Sequence, residues 1–398
     1  MKIGIYGGTF NPIHLGHLTA ARAAVERLGL DRLLFIPAGL PPHKELAADT
    51  PSVQHRLEMT RLGAQALELP VTAEVCDMEL RRRGKSYTAD TVAALARQYP
   101  DAELWLLMGT DMFLSFQNWY KPQAIAKHCA LCAFGRSRSD TEELLRCQGD
   151  ALRSAYRAKV TTLLLPEVVE ISSTQLRESL RRGEGRAYLA PTVYGYILRE
   201  GLYGTKADLK RLSLEDLRCV ALTMLKHSRI PHVLGAEETA AALARRWGAD
   251  EDSARRAALL HDCTKRLNRE QQLALCRQYH IEVDEEERWE AKLLHAPTGA
   301  AVAAQVFGVS REVESAIRWH TTGKADMSLL EKIIYLADYI EPTRDFCDLR
   351  ELRRLAFEDL DRALLLGFTM AVEDLREKGM PVHPNSVYAR DHLKGILA

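Results

Sequence analysis

The chain has 398 residues, and a norm of about 150 residues per domain suggests two or three domains. Lys plus Arg and Asp plus Glu each total 54, so the formal charge is zero, which argues against nucleic acid as a partner held by a whole-chain basic footprint. Hydrophobic residues make up 46% and charged residues 27%, which excludes wholesale disorder, and no apolar run reaches the roughly 18 residues that a membrane-spanning helix needs. The chain opens on a strand-like run without the basic start, apolar core and cleavage site of a signal peptide, and its eight cysteines are scattered. The expectation is a cytoplasmic protein with reduced thiols and no membrane partner.

Short apolar runs rich in branched residues occur at 2–6, 32–37, 71–76, 103–108, 130–135 and 160–166. Amphipathic stretches such as 18–28, 53–67 and 91–99 lie between most of them. This alternation predicts an α/β Rossmann-like domain over 1–203, with a parallel sheet covered on both faces and ligands at the carboxyl ends of its strands. Residues 204–211 read as a linker. Beyond it the period is 3.6, and helices are predicted at 214–226, 235–247, 252–265, 269–279, 298–306, 311–319, 329–340 and 349–378, making 212–398 an all-α domain. Basic and acidic residues number 25 and 22 before residue 204, and 29 and 32 from there on, so neither half is charged enough to assign it a polyanion.

The first run leads into Gly7-Gly8-Thr9-Phe10-Asn11-Pro12-Ile13-His14-Leu15-Gly16-His17 and then a helix. Glycines let backbone approach a ligand, and the helix start offers free amides and a positive dipole end, which suits phosphate. His14 and His17 can face that phosphate together and stabilise charge developing on phosphorus. Ile171-Ser172-Ser173-Thr174-Gln175-Leu176-Arg177 offers a second anion cradle, with Arg177 able to grip phosphate oxygens; alone it reads more readily as a helix cap with a solvated arginine, and paired with the first cradle it describes a polyphosphate held across the sheet. Cys129 and Cys132 sit in an apolar strand without a second pair at zinc spacing, and read as core.

These motifs resemble the nucleotidylyltransferase α/β-phosphodiesterase superfamily. Residues 7–17, 37–44, 86–91, 109–113 with Trp119, and the Ser172-Ser173-Thr174 segment resemble, within it, bacterial nicotinate mononucleotide adenylyltransferase. The resemblance implies Mg²⁺-dependent transfer of AMP from ATP to nicotinate mononucleotide. It places His14 and His17 on the reacting phosphates, Lys44 and Arg177 on the polyphosphate, with Arg136 a further candidate. It places Thr88 and Trp119 around nicotinate, with the indole stacked on the ring. Asp111 would bind ribose or adenosine hydroxyls, or else cap a helix. Phosphopantetheine remains the alternative acceptor.

The helical half holds eight of the 13 histidines. His232, His261, Asp262, His295, His320 and Asp338 fall in or at the ends of predicted helices, several on faces that should be buried. A buried carboxylate needs a cation, a hydrogen-bonding partner or a proton, and imidazole with carboxylate suits Fe, Mn or Zn. With their flanks, among them Arg229-Ile230-Pro231-His232 and Ala337-Asp338-Tyr339-Ile340-Glu341-Pro342, these six resemble the YqeK-type HD-domain phosphohydrolases. The resemblance implies two irons, or manganese, on the six side chains and symmetrical cleavage of diadenosine tetraphosphate to two ADP. Lys265 and Arg344 would hold outer phosphates or be plain surface charges. A nucleotide-sensing regulatory module stays open as an alternative, and a homo-oligomer is compatible with the sequence.

Overall fold

A computed structural model describes residues 1–42, 46–135, 141–165, 171–345 and 349–398. It divides into two compact units, Met1–Lys206 and Ala207–Ala398. Among the described residues no helix is long and apolar enough to cross a membrane.

The first unit runs β1 (Lys2–Gly8), α1 (Leu15–Leu28), β2 (Arg32–Pro37), α2 (Val53–Gln65), β3 (Thr72–Val75), α3 (Thr88–Gln98), β4 (Glu103–Gly109), α4 (Thr110–Leu114), α5 (Pro122–His128), β5 (Ala130–Phe134), α6 (Glu142–Tyr156), β6 (Val160–Leu163), α7 (Ser173–Arg181) and α8 (Pro191–Arg199). The six strands form one parallel sheet in the order β3-β2-β1-β4-β5-β6. The chain reverses direction across the sheet between β1 and β4, where a crevice opens beyond the strand ends. Register brings Gly8 beside Pro37 and Gly109 beside Phe134 at that edge. Ile3, Ile5, Leu34, Leu106 and Leu131 are buried, as a sheet covered on both faces requires. Cys129 and Cys132 are buried with them, and burial pushes both thiols up to about 12, so they are core side chains.

The second unit contains α9 (Leu214–Leu222), α10 (Ile230–Trp247), α11 (Glu251–Leu260), α12 (Arg269–Gln278), α13 (Glu285–Trp289), α14 (Ala291–Phe307), α15 (Arg311–Trp319), α16 (Leu329–Ile340), α17 (Arg350–Glu358), α18 (Leu360–Glu377) and α19 (Pro384–Leu397). Helix α10 packs on α11 and α16, and α14 on α15. Helix α9 ends at Leu222 and α10 begins at Ile230, where the periodicity gave 226 and 235, and three further boundaries differ from it. The predicted 252–265 helix stops at Leu260, and Cys263 N and Lys265 N donate to Leu260 O and Asp262 O in tighter three-residue turns. Helix α14 begins at Ala291, ahead of Pro297, because the Glu290 carboxylate accepts from Lys292 N and caps it. The predicted 349–378 helix breaks at Asp359, whose extended backbone frees its carboxylate to cap α18 through Arg362 N.

Candidate functional site

Each unit carries a site. In the first, β1 ends on Gly8, where an added Cβ would press on the Phe10 ring at 3.0 Å. Phe10 is left-handed (φ 45°), and its ring meets Tyr6 edge-on at 5.8 Å. The turn delivers His14 to the start of α1. His14 N donates to His17 Nδ1 at 3.3 Å, and the two buried rings lie 3.8 Å apart. With Nδ1 accepting, the neutral His17 ring carries its N–H on Nε2.

A cavity of about 370 Å³ sits at the strand ends. Gly7, Gly8, Thr9, Phe10 and His17 line one side of it, and Thr88, Asp111, Trp119 and Ser173 also line it. Asp111 stands in the first turn of α4, which Gly109 caps, so it is not the cap residue. On α7, Ser172 and Gln175 cap each other reciprocally, which engages the Ser172 hydroxyl. Arg177, buried at 8% exposure, donates to Asn11 O at 3.0 Å, Ser173 O at 3.2 Å and Thr174 Oγ1 at 3.3 Å, and lies 3.6 Å from Asp49. It therefore ties the second cradle to the turn after β1. Lys44 and Arg136 lie outside the described residues.

Four contributors to this site were given no role by sequence reasoning. Arg56 on α2 is 1% exposed and donates to Thr9 O at 2.9 Å, Ala38 O at 2.8 Å and Gly39 O at 3.3 Å, joining the loops after β1 and β2. Burial pulls its pKa down. Glu79 lines the cavity, and burial pushes its carboxyl up, opposed by the Thr91 hydroxyl donating at 2.7 Å and by Arg82. Tyr87 and Tyr120, with rings 4.5 Å apart, add a second aromatic surface. Replacing Arg56 by Met should cost on the order of 3 kcal/mol, because three carbonyls lose a charged donor. Chemical denaturation of the variant checks this, and an unchanged midpoint refutes the clamp.

In the second unit the six predicted side chains converge. His232 stands near the start of α10, His261 and His320 directly follow α11 and α15, His295 is in α14 and Asp338 in α16. His232 Nε2 lies 2.9 Å from Asp338 Oδ1 and 3.4 Å from His261 Nε2. His295 Nε2 lies 3.0 Å from His320 Nε2 and 3.1 Å from Asp262 Oδ1. Asp262 thus faces His295 with Oδ1 while its Oδ2 lies 3.4 Å from His261 Nε2, so one buried carboxylate joins two ligand groups.

The donor chemistry fits metal. His261, His295 and His320 each bond Nδ1 to the carbonyl three residues back, at 2.6, 2.6 and 2.7 Å. A carbonyl only accepts, so each Nδ1 carries the hydrogen, and His295 and His320, whose pKa values burial pulls down, turn Nε2 lone pairs toward one another. Lone pairs facing at 3.0 Å repel unless a cation joins them. Burial, with His295 and His261 nearby, holds His320 well below the usual imidazole range, and so neutral. Burial would raise Asp262, but His261 and His295, with Lys265, outweigh it and hold the carboxylate well below its usual range. Asp338 is held well below its range too: burial opposes, while His232, His261, Lys265 and Arg344 prevail. Burial would lower His261, but Asp262 and Asp338 outweigh it and raise its pKa, so metal and proton compete for its Nε2. The residues therefore offer imidazole nitrogens and ionised carboxylates, the donors that Fe, Mn or Zn takes.

Lys265 Nζ donates to Asp262 Oδ1 at 3.0 Å, and Arg344 Nη2 to Asp338 Oδ1 at 2.9 Å. Arg229, to which sequence reasoning gave no role, donates from Nε to Asp262 Oδ2 at 2.6 Å. Cys263 is buried against the Gly299 backbone, and burial pushes its thiol up to about 12, which makes it a packing thiol.

A cytidylyltransferase-like family model matches residues 5–179, and an HD domain model matches residues 229–343. The chain is 36% identical over 203 residues to a probable nicotinate-nucleotide adenylyltransferase of Lachnoclostridium phytofermentans, covering 51% of this chain and 98% of that one. It is 39% identical, with the same coverage, to the counterpart from Carboxydothermus hydrogenoformans. A crystal structure described as that of a predicted HD superfamily hydrolase involved in NAD metabolism, from Clostridium acetobutylicum, is 39% identical, with a TM-score of 0.45, over 46% of this chain and 98% of that one.

Proposed function

This chain belongs, over its first half, to the nicotinate-nucleotide adenylyltransferase family, and we propose that it transfers AMP from ATP to nicotinate mononucleotide and, with its HD domain, cleaves diadenosine tetraphosphate to two ADP. In the first reaction a phosphate oxygen of the mononucleotide bonds to the α-phosphorus of ATP. The bond from that phosphorus to the bridging oxygen breaks, giving deamido-NAD and pyrophosphate. Mg²⁺, when bound with ATP, offsets polyphosphate charge. His17, on the cavity wall, would donate Nε2–H to the oxygens gathering charge at phosphorus, and His14 would fix that ring through its backbone N–H. Arg177 and the amides of the turn would hold the polyphosphate, as would Lys44 and Arg136. Trp119 and Thr88 would receive the nicotinate ring, and Asp111 a ribose.

For the second reaction, His232, His261, Asp262, His295, His320 and Asp338 would hold two divalent metals, iron or manganese. When bound, these supply Lewis acidity that lowers the pKa of water and offsets phosphate charge. The water oxygen bonds to one central phosphorus, and the bridging oxygen leaves with the second ADP. Arg229, Lys265 and Arg344 are the cations beside the ligand carboxylates, and would turn to the outer phosphates. The observation that carries this reading is the pairing of Nε2 atoms at 3.4 and 3.0 Å around one shared aspartate.

Full-length protein loaded anaerobically with Fe²⁺ or Mn²⁺ and given diadenosine tetraphosphate should yield ADP as the sole product by chromatography. ATP with AMP would end the symmetrical reading, and no turnover the hydrolytic one. Adenylylation of phosphopantetheine in place of nicotinate mononucleotide would overturn the first assignment.

A further inference from the structure

Three of the four clustered histidines are oriented alike, by a neutral carbonyl one turn back in their own segment. His232 differs. It is the third residue of α10, where no full turn precedes it, and its Nδ1 meets the carboxylate of Glu341 at 2.9 Å. Glu341, just beyond α16, is fully buried. The Thr343 hydroxyl donates to its Oε1 at 2.6 Å and Thr343 N to its Oε2 at 2.7 Å. Arg344 Nε lies 3.8 Å from Oε1. Space for the carboxylate is made one turn along α10 by Gly235, where an added Cβ would stand 2.6 Å from Glu341 Oε2.

We propose that Glu341 is a positioning residue that makes the two metal positions unequal, through its carboxylate hydrogen bond to His232 and with room provided by Gly235. The inference rests on the two-metal reading above. A carboxylate on Nδ1–H fixes the tautomer that presents the Nε2 lone pair. It also adds negative charge behind the ring, which makes Nε2 a stronger donor than an imidazole backed by a neutral carbonyl. The position fronted by His232, His261, Asp262 and Asp338 therefore binds first and more tightly. The position fronted by His295, His320 and Asp262 binds second.

Mn²⁺ titration of the full-length protein, with free Mn²⁺ read by electron paramagnetic resonance, tests this without any turnover. The wild type should show two unequal steps. Glu341→Gln keeps an acceptor for Nδ1–H but removes the charge, and should weaken the first step by about 10- to 100-fold while leaving the second nearly unmoved. Gly235→Ala should weaken the same step by displacing the carboxylate. Thr343→Val, at an exposed position, removes one donor to Glu341 and should weaken that step less, which covers the case in which the buried variants fold poorly. Wild-type steps in these variants, or equal weakening of both steps, would overturn the positioning role. A wild type that binds no Mn²⁺ would instead overturn the two-metal reading itself, and the inference with it.

Discussion

In the Asp262→Ala variant, the proposed hydrolysis of diadenosine tetraphosphate should fall to background while adenylyl transfer to nicotinate mononucleotide should keep its wild-type rate. The expected effect is large because Asp262 alone serves both ligand groups, with Oδ1 3.1 Å from His295 and Oδ2 3.4 Å from His261. Losing it strips both metal positions at once, whereas losing His320 would strip one. It also leaves Arg229 and Lys265 without the carboxylate that faces them at 2.6 and 3.0 Å. Both cations are partly exposed and can turn to solvent, so the cost in stability should stay well below that of a fully buried orphan charge. Transfer is spared because the cavity at the ends of β1 and β4 is built within the other compact unit. The measurement is a pair of assays on one preparation, with metal content determined alongside. If nucleotide-dependent control of adenylyl transfer changes while no hydrolysis existed to be lost, the second domain is a sensor and the hydrolytic reading fails.

Sequence carried the parallel sheet, the change to helices and the six side chains that converge in the second unit, because those features are periodic or made of residue types too costly to bury without a purpose. Residues whose role arises only from convergence were not legible. Arg56 lies in an amphipathic helix and reads as a solvated charge, yet the fold turns it inward onto three carbonyls from two separate loops. Glu79 follows no motif and becomes a wall of the cavity only because its segment packs against Gly39, whose added Cβ would lie 2.7 Å from Glu79 O. Glu341 stood inside a quoted segment and still gave no signal, since its partner is 109 residues earlier. Arg229, the first residue of the His232 segment, could have been found: a cation three residues before a clustered histidine at a helix start lies within reach of the same cluster. Helix ends were misjudged where side chains set them, as at Asp359 and Glu290, because a carboxylate that caps a helix looks the same in sequence as one on its surface.

Replacing His17 by Ala should lower kcat for adenylyl transfer by about 10²- to 10³-fold, the usual loss for a single preorganised donor to a charged transition state. The Michaelis constants should move less, since the cavity walls that hold substrate, Trp119 and Thr88 among them, are untouched. Part of any loss could come from fraying of α1, because His17 Nδ1 accepts the backbone N–H of His14 and secures the helix start. A lost cap costs about 1 kcal/mol. His17→Glu separates the two effects: a glutamate three residues into a helix can accept the same N–H, yet its ionised carboxylate has no donor to present where the imidazole Nε2 stands. It should keep the stability and lose the rate. His14→Ala combined with His17→Ala should lose less than the product of the single losses, because the rings lie 3.8 Å apart and act as a unit. Steady-state kinetics with both substrates varied, beside a thermal melt of each variant, gives the answer. A wild-type kcat in His17→Glu would remove His17 from the chemistry and leave it a helix cap.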